Sequence, residues 1–81
     1  MPLTRMQNGQ MGKVMEVNGG KIVNDRLTSL GIRQGQKLTR IGGMFLNGPV
    51  TVKVDKSQVA IGYGMAGKIM VKTENENPID G

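Results

Sequence analysis

"KIVNDRLTSLGIRQG", Lys21–Gly35, is the stretch of this chain where apolar residues follow helical spacing instead of alternating. Val23, Leu27 and Leu30 stand at i, i+4 and i+7, one stripe of an α-helix. Asp25 lies near the expected start, where a carboxylate suits the helix dipole. Gly31 follows the stripe at the point where a left-handed residue ends a helix, a conformation that glycine adopts without a Cβ penalty. Ile32 is then placed to fold back onto Leu27, the apolar contact that accompanies such a stop. Gly35 closes the turn into the next strand. The expectation is one short helix inside an otherwise β chain.

Outward from this helix, apolar runs alternate with glycine-rich punctuation; the chain has 13 glycines in 81 residues. "GKVMEV" (Gly12–Val17) precedes the helix and "QKLTRI" (Gln36–Ile41) comes after it, and both read as strands. "VTVKVD" (Val50–Asp55) alternates cleanly, with Val50, Val52 and Val54 on one face. "QVAIGY" (Gln58–Tyr63) comes after a tight link at Asp55–Ser57, so these two form a hairpin. "KIMVKT" (Lys68–Thr73) is the last strand. The expected fold is mainly β: a small barrel of five or so strands with one short helix between the first two. Residues 1–73 form the domain, and 74–81 read as a flexible acidic tail. "MGKVMEV" and "AGKIMVK" share G-K-[VI]-M, which suggests two strands that are neighbours in the barrel.

Composition narrows the chemistry. There is no Cys and no His, so disulfides, thiolate metal sites and imidazole bases are excluded. Glu74, Glu76 and Asp80 fall in the last eight residues, so residues 1–72 hold all 11 bases against three acids, a net of +8. A body that basic is drawn to acidic partners. Arg26, Arg33, Lys37 and Arg40 cluster around the helix and its exit, a docking surface for an acidic protein face. Phe45 and Tyr63 are the only aromatics, poor equipment for stacking nucleic-acid bases. Glu16, Asp25 and Asp55 are scattered, and the seven methionines are dispersed, so Met reads as filler of an aliphatic core and no metal site emerges. No His is present to activate a hydroxyl and no Ser-x-x-Lys stands out, so no catalytic residue is assigned and the chain is read as a non-enzyme. No apolar run approaches a spanning helix and no signal peptide stands out, which makes a cytoplasmic location the expectation.

"GYGMAGKI" (Gly62–Ile69) spells most of a phosphate-binding loop, but Ile69 stands where a magnesium-binding hydroxyl belongs. The residues after it are β-prone, and too few remain for the crossover helix and parallel strand. The stretch reads as a glycine-bracketed turn with Met65 and Ala66 against the core.

In order, the motifs are G-x-x-G-K-V, L-x-x-L-G-I-x-x-G, N-G-P, V-x-V, V-A-I and A-G-K-I-x-V. This sequence resembles the ferrous iron transport protein A family (the FeoA domain) over about residues 3–72, most specifically at the helix end Leu30–Gly31–Ile32 and at Gly48–Pro49. The resemblance implies an SH3-like barrel, no cofactor, and a cytoplasmic accessory or regulatory role beside a membrane ferrous iron transporter that carries a GTP-binding domain. Membrane association would come only through that partner. The same domain ends iron-dependent repressors; here the expectation is a domain that stands alone, without preceding DNA-binding helices. A nucleic-acid-binding barrel, or the SH3-like domain of a metal-dependent regulator, is the alternative. The partner-binding residues expected on the helix and its basic exit turn are Arg26, Leu30, Gly31, Ile32, Arg33, Gly35 and Lys37, with Met44, Phe45 and Leu46 as an apolar neighbour.

Overall fold

A computed structural model describes residues 1–43 and 46–73. A single 3-10 turn at Leu3–Arg5 leads into strand β1 (Met11–Val17), helix α1 (Gly20–Ser29), β2 (Lys37–Gly43), β3 (Val50–Val54), β4 (Ser57–Ile61), helix α2 (Tyr63–Ala66) and β5 (Ile69–Thr73). The strands form one sheet in the order β4-β3-β2-β1-β5, and every neighbouring pair is antiparallel. This is the mainly β, SH3-like arrangement with a short helix between the first two strands. β1 and β5, the strands that share G-K-[VI]-M, are indeed neighbours. The expected acidic tail, 74–81, lies outside the described residues.

The core comes from strand alternation. Val14, Leu38, Val50, Val52, Val54, Ile61, Ile69 and Val71 point inward and are buried, joined by Leu3, Met6, Leu27, Ile32 and Ala66. Two bulges adjust this pattern. Between Val14 and Glu16 the β1–β5 register shifts by one residue, and between Arg40 and Gly42 the β2–β3 register does the same. With strict alternation after Val14, the Glu16 side chain would face the core. The extra residue sends both Met15 and Glu16 outward, and Val17 becomes half-buried again. A bulge also bends its strand and increases local twist, which helps a small sheet curl on itself.

The β3–β4 hairpin turns through two residues, Asp55 and Lys56, since Val54 pairs with Ser57. Asp55 has φ +55, a region where Asp is among the better tolerated non-glycine residues. The N-terminal residues add to the β5 edge: the Val71 amide donates to the Met1 carbonyl, and Pro2 bridges Met70.

Several expectations are corrected. Asp25 is the sixth residue of α1, beyond its first turn, and instead accepts from Lys21 Nζ at 2.8 Å on an exposed face. Leu30 is not a core residue: it caps the helix and remains 41% exposed, leaving Leu27 as the fully buried residue of the stripe. Met6 fills the core, while Met11 and Met15 stand on the surface. "GYGMAGKI" is a one-turn helix followed by β5 from Ile69, so Lys68 precedes the strand and does not begin it. In it the Ala66, Gly67 and Lys68 amides donate to the Gly62, Tyr63 and Met65 carbonyls. Those amides are already committed and cannot cradle a phosphate.

Arg40 is the largest departure. Expected on a docking surface, it is buried at 6% exposure, because β2 alternates Leu38 and Arg40 inward. Its guanidinium donates through Nη1 to the Thr4 carbonyl (3.1 Å) and the Met6 carbonyl, and through Nη2 to the Gly43 carbonyl (3.2 Å). It joins the N-terminal turn to the end of β2.

Candidate interaction surface

The helix exit is built by backbone hydrogen bonds. Leu30 ends α1 with φ −92, and Gly31 turns the chain left-handed at φ +88. The Ile32 amide donates to the Leu27 carbonyl at 2.8 Å, and the Gly31 amide to the Thr28 carbonyl at 3.0 Å. These are the two bonds of a Schellman stop, and Ile32 and Leu27 supply its apolar contact as fully buried residues. Beyond it the Gln36 amide closes a turn onto Arg33, while the Gly35 amide donates to the Val14 carbonyl at 2.8 Å. The exit is therefore fastened to β1, and the side chains along it are held on a fixed backbone.

Arg26, Leu30, Arg33 and Lys37 are exposed along this exit. Gly35, at φ +90, is exposed as well, and Gly31 is half-buried. Ile32 is fully buried, so it shapes the exit from beneath and offers no side chain to a partner. Leu46 is 83% exposed, but it comes after the far end of β2, whereas Lys37 begins that strand. Six residue steps of roughly 3.3 Å separate the two ends, on the order of 20 Å along the chain. Leu46 is thus not a neighbour of the helix exit; Met44 and Phe45 lie outside the described residues. Among the described residues no carboxylate pairs with Arg26 or Arg33, and no three acidic residues come together as metal ligands.

Strand register gathers a second group of charges that the sequence does not display. Lys13 on β1 stands directly opposite Lys72 on β5 and directly opposite Lys37 on β2, all three exposed on the outer face. In the adjacent row Met11 faces Thr39, and Thr39 faces Lys53 on β3. A hollow of about 110 Å³ lies among Met11, Gly12, Lys13, Lys37 and Lys72. A second of about 270 Å³, which shares Met11 and Lys37, continues past Lys53 to Asp55. Alternation marks Lys13, Lys53 and Lys72 as outward-facing, but only the pairing of β1 with both β2 and β5 sets them in line.

No helix among the described residues is long and apolar enough to cross a membrane. The FeoA domain family matches residues 1–73. A Methanocaldococcus jannaschii protein named Fe(2+) transport protein A is 39% identical over 71 residues, covering 88% of this chain and 84% of the relative. A solved iron uptake regulatory protein (FeoA) superposes with a TM-score of 0.82 at 33% identity, over 90% of this chain and 95% of that one. A manganese-dependent transcriptional repressor shares the fold at a TM-score of 0.81 and 22% identity, the match covering 90% of this chain and 41% of the repressor. With its helix stop, its strand order and these likenesses in agreement, the chain belongs to the FeoA domain family, which is associated with ferrous iron transport.

Proposed function

We propose that this protein is an accessory or regulatory component of ferrous iron uptake that binds a membrane iron transporter through its GTP-binding cytoplasmic region. The observation that carries this reading is membership of the FeoA family across residues 1–73. The ferrous ion is the cargo of the partner. The protein's own part is to bias the partner's conformation or GTP cycle, which requires different affinities for two partner states.

The helix exit is the contact surface in this reading. Arg26 and Arg33 carry exposed charges that pair with no carboxylate among the described residues, and Leu30 adds a half-open apolar side chain. The rigid Schellman turn presents them without a large ordering cost on binding. The surface is narrower than charge alone suggests, because Arg40 and Ile32 are buried and Leu46 sits elsewhere. Affinity for the purified cytoplasmic domain of the transporter, measured by calorimetry, tests it. Arg26→Glu with Arg33→Glu is expected to weaken binding at least tenfold, since two attractive charges become repulsive. Binding that is unchanged in this double variant removes the surface assignment, and no binding by the native protein removes the function.

A further inference from the structure

We propose that the groove crossing β5, β1, β2 and β3 is a docking face for an acidic protein segment that carries an apolar side chain among its carboxylates. Like charges directly opposite one another weaken a sheet. Lys13 has such a neighbour on both sides, Lys72 and Lys37, and no described carboxylate offsets any of the three. Incoming carboxylates would turn this repulsion into attraction.

Length and shape favour an extended acidic peptide. From β5 to β3 the groove spans three inter-strand steps of about 4.8 Å, on the order of 14 Å. An extended peptide with an acid at every second residue sets three carboxylates over about 13 Å. Met11 is 55% exposed between the two hollows, so the cations surround a patch of apolar surface that free phosphate would not use. No aromatic side chain lines either hollow, which removes the stacking platform that single-stranded nucleic acid needs. Asp55 at the far end of the second hollow repels acids there and places them toward the Lys72–Lys37 end. The groove shares Lys37 with the helix exit, but it uses neither Arg26 nor Arg33, so this proposal does not depend on the transporter contact.

The test is a titration of the ¹⁵N-labelled full chain with a short synthetic glutamate peptide that has one internal leucine. Amide shifts are expected to concentrate at Met11–Lys13, Lys37–Thr39 and Lys72. Lys13→Gln should weaken the affinity about threefold, and Lys13→Gln with Lys72→Gln about tenfold, as the loss of exposed charge pairs implies. Met11→Ser, or serine for the peptide's leucine, should weaken it about threefold by removing the apolar anchor. Lys13→Gln should also raise the melting temperature by about 1–4 °C, because it relieves repulsion on both sides. A fall in melting temperature would show that the lysine row serves the fold, and the proposal would be wrong. Shifts spread evenly over Arg26, Arg33 and Lys56 would reduce the effect to general charge attraction, which also overturns it. Tighter binding of a single-stranded oligonucleotide of equal charge would overturn it in favour of a nucleic-acid partner.

Discussion

Substitution of Gly31 isolates what the helix stop demands. Gly31 sits at φ +88, and a Cβ built there would meet only Val54 Cγ1, at 3.5 Å. That distance is ordinary van der Waals contact, so an added methyl group has room. Any penalty is therefore conformational. The left-handed region costs an L-residue roughly 1–2 kcal/mol. Alanine recovers about 0.4–1 kcal/mol by stiffening the unfolded chain. The net expectation for Gly31→Ala is a loss of about 1 kcal/mol, or roughly 4–8 °C in melting temperature for a domain of this size. Asparagine is larger but visits this region far more readily. Gly31→Asn should therefore cost less than Gly31→Ala, about 0.5 kcal/mol, and Gly31→Val should cost more than either because a β-branched residue is a true outlier at positive φ. Urea unfolding followed by circular dichroism gives the order, with an unchanged m-value showing that the transition itself is intact. If alanine were tolerated better than asparagine, space and not backbone conformation would be limiting, and the Schellman reading of Leu27–Ile32 would fail.

Three further substitutions test the burial pattern. Arg40→Ala should lower stability by about 2–4 kcal/mol, since three backbone carbonyls lose a charged donor and a cavity opens; the urea midpoint reads this directly. Leu27→Ala should cost about 2–5 kcal/mol, whereas Leu30→Ala should stay within about 0.5 kcal/mol, and comparable losses at the two positions would contradict the burial that separates them.

The parts of the fold that are legible in the sequence are those set by local chemistry. The helix stop can be read because glycine, an apolar residue after it and an apolar residue before it form a motif within six residues, Leu27–Ile32. Val50, Val52 and Val54 can be read because their strand has one buried face and no bulge. Arg40 escapes a local reading because an Arg beside other bases looks like surface; its inward direction depends on alternation with Leu38, and its acceptors come from Thr4 and Met6, far away in sequence. Glu16 is turned outward by a bulge, which leaves no signature in composition. The lysine row is hidden for a deeper reason. The repeated G-K-[VI]-M suggests that Lys13 and Lys68 correspond, but β1 and β5 run antiparallel, so Lys13 faces Lys72 instead. Register is a long-range property, and a shift of one residue would send each of these lysines to the other face.

The two ends of the barrel are held by different chemistry, and this bears on which surfaces remain available. At the helix end, the Gly31 and Ile32 amides and the buried pair Leu27–Ile32 close the turn without using a charged side chain. At the other end Arg40 gathers the Thr4, Met6 and Gly43 carbonyls, so a cation counted as surface charge in the sequence works inside the fold. Neither arrangement draws on Arg26, Arg33, Lys13, Lys37 or Lys72. The Lys21–Asp25 ion pair is an exposed i,i+4 contact worth only a few tenths of a kcal/mol. The fold is thus stabilised by apolar burial, backbone bonding and one buried guanidinium. Arg26, Arg33 and the lysine row take no part in this, and across that row like charges face one another. Charge placed where it weakens the sheet is better explained by what it meets from outside than by what it holds within.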